Sequence, residues 1–136
     1  MKHSVKDHVP PGFEHEKKNI AIDFDGVIHE FYGWGDGTCY GDPLPGALDA
    51  IKFLSKDYNI IIFTAKARPD RPLVNDKTGK ELVTAWLKKY DVLDYIDYVT
   101  HEKPRALCYI DDKAVRFDNW DSVMVRLNDN KILVTT

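Results

Sequence analysis

From Asn19 onward the chain alternates short apolar runs with stretches in which apolar residues recur at helical spacing. Ile20-Ala21-Ile22 runs into Asp23-Phe24-Asp25, an apolar segment closing in acids that suits a strand buried on both faces of a parallel sheet. Ile28–Tyr32 and Thr38–Tyr40 flank Gly33-Trp34-Gly35-Asp36-Gly37, a pattern that predicts a small hairpin. After Pro45-Gly46, the recurrence of Leu48, Ile51, Phe53 and Leu54 predicts a helix, which Asp57-Tyr58-Asn59 interrupts. Ile60-Ile61-Ile62-Phe63-Thr64 is a second buried strand, and the polar, basic, proline-broken stretch Ala65–Gly79 predicts a loop. Leu82, Val83, Trp86 and Leu87 predict a helix over Lys80–Tyr90, with Lys88 and Lys89 at the dipole end that favours cations. Tyr95–Thr100 reads as a third, weaker strand, and Ala106–Ile110 as a fourth buried strand running directly into Asp111-Asp112. Trp120, Val123, Met124 and Leu127 fit a last helix capped by Asp118 or Asn119, with Lys131–Val134 as an edge strand. Strands alternating with helices predict an α/β domain with a mostly parallel sheet.

Composition narrows this picture. A chain of 136 residues with 43% hydrophobic residues can bury one core, so residues 19–136 are expected to form one domain. Residues 1–18, with three histidines and a Pro-Pro-Gly, read as a polar arm. The net charge of −3 is spread without long blocks of one sign, which gives no global sign of a nucleic-acid or membrane partner. No apolar stretch reaches bilayer length, and the charged start Met1–Lys18 lacks an apolar signal segment, so a cytoplasmic protein is expected. Two cysteines, Cys39 and Cys108, without CxxC spacing argue against a disulfide scaffold or a zinc knuckle.

The chemistry gathers at strand exits. Ligands of parallel α/β sheets bind beyond the carboxyl ends of the strands, and those ends carry Asp23, Asp25, Thr64, Asp111 and Asp112. One aspartate after a strand is ordinarily a solvated turn residue or a cap. Four acids converging from two strands repel one another, and a cation relieves that cost. Oxygen ligands without cysteine or histidine suit a hard ion, magnesium rather than zinc. Lys103, shortly before the fourth strand, is within chain reach of the same place and offers positive charge to carboxylate and phosphate.

Asp23-Phe24-Asp25-Gly26-Val27 after an apolar strand resembles the nucleophile motif of the haloacid-dehalogenase-type phosphatases. Thr64 ends the second strand, Lys103 precedes the fourth and Asp111-Asp112 follow it, in the order of that superfamily's further motifs. The likeness spans about Asn19–Phe117, and Val27 stands where threonine is common. It implies a haloacid-dehalogenase-like Rossmannoid three-layer sandwich with a mostly parallel sheet and no cap domain. It also implies a magnesium-dependent phosphomonoesterase in which Asp23 attacks phosphorus and carries the phosphoryl group. Asp25 would protonate the leaving alcohol and then deprotonate water. Backbone around Phe24 and Ala65, with Thr64 and Lys103, would contact the phosphate. Asp23, the Asp25 carbonyl and the pair Asp111 and Asp112 would hold Mg2+, either member of the pair serving as direct ligand.

Two other classes share such a scaffold. A receiver-like phosphoacceptor places its acid pair after the first strand and its acceptor after the third, the reverse of the order here. A non-catalytic binding module has no reason to keep all the chemical groups, and none is missing. No GxGxxG follows the first strand, which argues against a dinucleotide site. The places where this superfamily inserts caps hold only the hairpin after Asp25 and one loop, helix and strand after Thr64. An open site would admit a macromolecular or polyanionic phosphorylated substrate, and a homo-oligomer whose second subunit covers it is also left open. The loop after Thr64 carries Lys66, Arg68, Arg71, Lys77 and Lys80 against Asp70 and Asp76, so Arg68 and Arg71 are candidates to bind anionic parts of that substrate.

Overall fold

The computed structural model describes residues 18–31, 33 and 40–129. The polar arm up to residue 17, the glycine-rich tip with Trp34 and Cys39, and the edge strand expected over 131–134 lie outside the described residues.

The most apolar run of the chain forms the middle of the fold. Ile60, Ile61 and Ile62, each at most 1% exposed, lie in β2 (Tyr58–Phe63), beside β1 (Lys18–Asp23). These two strands pair in parallel from Lys18 opposite Tyr58 to Asp23 opposite Phe63. β3 (Tyr98–Thr100) pairs with the free side of β2, and β4 (Cys108–Ile110) with the free side of β1, giving an all-parallel sheet of order β3-β2-β1-β4. The register is what positions the site. Ile22 pairs with Ile110, so Asp23 and Asp111 leave the sheet at the same level, with Thr64 leaving beside Asp23.

Helix α1 (Ala47–Leu54) links β1 to β2 and helix α2 (Gly79–Lys89) links β2 to β3. Both crossovers step the same way along the sheet, and right-handed connections then put both helices on one face. There Ile51, Val83, Trp86 and Leu87 pack on Ile20, Ile22, Ile60, Ile62 and Val99 to form the core. Alternate residues Ala21 and Ile61 are buried on the opposite face, and α3 (Trp120–Asp129) follows β4 to complete a Rossmann-like three-layer α/β arrangement. Among the described residues neither stretch expected to accept a cap holds one, and no helix is long and apolar enough to cross a membrane.

The structure corrects several expectations. β4 is exposed along its length rather than buried, and among the described residues β1 is its one strand partner. β3 is shorter than Tyr95–Thr100, since Leu93–Tyr95 form a 3-10 helix and Asp97 turns back to accept the Ile60 N–H at 2.7 Å. Of the residues that predict α1, Phe53 faces solvent at 67% exposure, and of those that predict α3 only Val123 is buried. Of the two caps expected for α3, Asn119 is the one used, accepting the Ser122 N–H at 2.9 Å. In the segment after Asp25, Glu30 N–H donates to Asp42 and Leu44 N–H to Ile28, an antiparallel contact, while the rest of the expected hairpin, at 32 and 34–39, lies outside the described residues.

α2 starts with a capping box, in which Thr78 and Glu81 bond each other's backbone N–H, and its first residue is Gly79. A methyl group there would stand 1.6 Å from the Lys66 carbonyl oxygen. Glycine lets the helix start press against the backbone that follows β2. Helix propensity alone favours alanine over glycine by about 0.5–1 kcal/mol. The expected outcome for Gly79→Ala has the opposite sign, a loss of about 2 kcal/mol or more from overpacking against backbone, read by urea denaturation. A stability equal to or above wild type would refute the close packing.

Candidate acidic active site

β1 ends where its side chains stop sharing one environment. Phe24 is fully buried, with its ring edge-on to Trp86 at 5.2 Å and 4.3 Å from the His29 ring, which anchors the turn from below. Its carbonyl accepts the Ile28 N–H, and Gly26 at φ 80° donates its own N–H back to His29. Asp23 and Asp25, on either side of the anchor, are left to face the strand exits. Gly26 serves a second purpose. A Cβ there would lie 2.6 Å from the Asp112 Oδ2, so only glycine lets the β4 exit close on the turn after Asp25.

The four acids separate into two environments. Asp23, Asp111 and Asp112 each offer a carboxylate oxygen, and these atoms lie within 4.8 Å of one another. Burial first, then the neighbouring charges of Asp111, Asp25 and Asp112, push the Asp23 carboxyl up to about 7 against the opposing Phe24 N–H. Asp111 also accepts the Lys113 N–H at 2.8 Å. A half-buried group of three carboxylates with no nitrogen or sulfur donor is a donor set for a hard divalent cation.

Asp25 has partners of its own. Its Oδ1 accepts from Lys66 Nζ at 2.6 Å and from His29 Nε2 at 2.8 Å, and its Oδ2 accepts the Thr64 hydroxyl at 2.9 Å. Burial works to raise this carboxyl, but the bonds from His29 and Lys66, the Lys66 charge and the Thr64 hydroxyl outweigh it and hold Asp25 below the usual carboxylate range. Thr64 is placed by β2: it caps the 3-10 helix Ala65–Ala67 by accepting the Lys66 N–H at 3.1 Å. That turn sends Lys66 inward, 3% exposed, with its ammonium 4.8 Å from the Phe31 ring centre and 5.1 Å from that of Tyr40.

Asp23, Asp25, Thr64, Asp111 and Asp112 therefore come together as their strand exits imply. Lys103 does not join them: it is exposed, its ammonium 4.3 Å over the Tyr109 ring, and it forms no ion pair with the acids. The cation bonded to Asp25 is Lys66, which in the sequence is one of several basic residues of the loop after Thr64. Ala65 is exposed at the start of the 3-10 helix. Arg68 is exposed and donates to Asp70 through Nε and one of its two Nη atoms, at 3.1 and 2.9 Å. Arg71 lines a small cavity with Tyr40, Lys66 and Gly79, where its charge opposes the burial and the Asp25 charge that push the Tyr40 hydroxyl up to about 12. His29, which the sequence leaves open as a contact or a surface residue, is fully buried against Asp25. Its place four residues after Asp25 was the available signal.

No family model matches the chain, and no curated protein matches it. Among solved structures, the chain is similar to a conserved protein of Bacteroides thetaiotaomicron, with a TM-score of 0.51 and 20% identity over 85% of this chain and 93% of that one. At that identity the likeness is one of fold.

A carboxyl held above its unfolded value binds its proton more tightly in the folded chain. Its contribution to stability is full below the unfolded pKa near 3.8 and is lost as pH rises through about 7. In metal-free buffer Asp23→Asn is therefore expected to melt higher than wild type at pH 8, by about 3 °C or more, with the gap closing towards pH 4. Calorimetry at the two pH values checks this, and a variant less stable than wild type at pH 8 would contradict it.

Proposed function

We propose that the chain is a magnesium-dependent phosphomonoesterase in which Asp23 carries the phosphoryl group and Asp25 handles the protons, in the manner of haloacid-dehalogenase-type phosphatases. The observation that carries this reading is the meeting of Asp23, Asp111 and Asp112 within 4.8 Å at neighbouring parallel strand ends, two residues from a carboxylate held in a separate environment. A purely structural acid cluster has no reason to separate its members in this way.

Asp23, Asp111 and Asp112 would hold the ion, and its positive charge, when bound, favours the Asp23 carboxylate and offsets the charge of a phosphoryl group beside it. An Asp23 oxygen forms a bond to phosphorus while the bond from phosphorus to the ester oxygen breaks. The departing oxygen takes the electron pair and a proton from Asp25. Water then attacks the phosphoaspartate, gives its proton to Asp25, and the bond from phosphorus to Asp23 breaks to restore the carboxylate. The anionic form favoured by Lys66 and His29 suits the second step, and the negative charge of an arriving phosphate pulls Asp25 towards the acid form that the first step uses. Asp112 is exposed whereas Asp25 is 13% exposed, which supports an open site for a bulky phosphate ester. Arg71, which lines a small cavity with Lys66 and Tyr40, is a candidate contact for further negative charge on such a substrate.

Hydrolysis of an aryl phosphate is expected to require magnesium, to stop in EDTA, and to fall by about a thousandfold or more in Asp23→Asn. Undiminished turnover in that variant, or in EDTA, would sink the mechanism. Between the lysines, Lys66→Met is expected to lower kcat by at least about a hundredfold and Lys103→Met by less than about threefold. A larger loss from Lys103 than from Lys66 would return the sequence-based assignment.

A further inference from the structure

His29 is a fully buried polar residue that meets no reacting atom in the steps above. Both ring nitrogens are occupied. The Gly41 N–H donates to Nδ1 at 3.0 Å, so Nδ1 carries no proton, and the ring proton must sit on Nε2, which donates to Asp25 Oδ1 at 2.8 Å. The ring is closed in by Phe24, Tyr40 and Trp86, with centroids at 4.3, 5.7 and 5.8 Å. The Trp86 Nε1–H fixes the other side of Gly41 by donating to its carbonyl at 3.0 Å. A residue so enclosed, with both nitrogens engaged, cannot touch a substrate. It can act only through Asp25.

A carboxylate offers about two lone-pair directions on each oxygen. On Asp25, Lys66 and His29 fill both directions of Oδ1, while Thr64 takes one direction of Oδ2. Among the described residues the second direction of Oδ2 has no donor. We propose that His29 is a positioning residue for Asp25: by donating its Nε2 proton to Oδ1 with its tautomer fixed by Gly41, it makes Oδ2 the atom that exchanges protons with the leaving group and with water. This rests on the proposed phosphatase reading. A packing role is the competing account, since the ring also fills space between three aromatic side chains. The two accounts differ in what depends on the Nε2 proton.

Glutamine and asparagine at position 29 separate them. A glutamine amide reaches about as far as Nε2 and keeps a donor for Asp25, whereas an asparagine amide reaches only the Nδ1 position, where it can accept from Gly41 but cannot reach Asp25. With magnesium, kcat/KM is measured for an alkyl phosphate, whose leaving group needs a proton, and for 2,4-dinitrophenyl phosphate, whose leaving group does not. His29→Asn is expected to lose about a hundredfold or more on the alkyl ester and less than about threefold on the dinitrophenyl ester, while His29→Gln stays within about tenfold of wild type on both. Nitrogen NMR of the wild-type imidazole, which needs no turnover, is expected to show the proton on Nε2. Equal losses on the two esters, no loss on either, or a proton on Nδ1 would overturn the role of His29 and leave the phosphatase reading standing. Absence of magnesium-dependent hydrolysis of both esters by wild type would instead overturn that reading, and the role of His29 with it.

Discussion

The contact between Lys66 and Asp25 is the one on which the surrounding structure depends. The ammonium is 3% exposed and the carboxylate 13%, so either alone would be a nearly dehydrated charge costing several kcal/mol. Together they cancel most of that penalty, and the remaining hydrogen-bond capacity is taken up by Thr64 and His29. His29 draws in Gly41, and Gly41 is held in turn by Trp86 of α2. One ion pair thus ties the exit of β1, the exit of β2, the returning segment before α1 and the helix that covers the sheet. Gly79 adds to the same assembly by letting α2 approach the backbone of Lys66 itself.

The molecule handles its negative charge in two ways within a few residues. Asp25 is neutralised from inside by a lysine, a neutral histidine N–H and a hydroxyl. Asp23 has two further carboxylates and one backbone N–H, and it answers by holding a proton more tightly. The difference follows from the strand order. β2, which lies beside β1 on one side, brings Thr64 and Lys66, whereas β4 on the other side brings Asp111 and Asp112. A parallel sheet with matched exits places a basic turn and an acidic turn on opposite flanks of one strand, and the two acids of that strand divide between them.

The sheet and the acidic exits were legible in the sequence because they rest on local patterns. Ile60-Ile61-Ile62 has the composition of a doubly buried strand, and an acid pair directly after an apolar run marks a strand end whatever packs around it. The helices were legible for the same reason, to within a residue for α2. Side-chain direction was not. Lys66 and Lys103 both stand near strand ends, and only the Thr64-capped 3-10 helix, a local hydrogen-bond choice, turns the first inward while Tyr109 holds the second outside. The exposure of β4 was not legible for a similar reason, since a short apolar strand has the same spelling wherever it stands in a sheet. His29 had a sequence signal in its spacing from Asp25, but its importance depends on Gly41 and Trp86, which come from distant parts of the chain.

The two flanks also differ in how firmly they are held. On the Lys66 side the groups are buried, bonded and backed by the core, and no one of them can move without exposing an unpaired charge. On the Asp111 side β4 is three residues long and has, among the described residues, one strand partner, and the helix that follows buries Val123 alone. Segments with few buried contacts open at low free energy, while those within the core open only with the whole fold. On the proposed reading, the proton-handling half is therefore rigid and the cation-holding half adjustable. That division suits a reaction in which the ion and a bulky ester must both come and go from the same side, since adjustment of the β4 exit leaves the geometry of Asp25 undisturbed. On that reading, substitutions that tune the substrate should be found from Lys113 to Asp118, beyond the acids of the β4 exit, and those that abolish the chemistry at Asp23, Asp25, Lys66, Asp111 and Asp112.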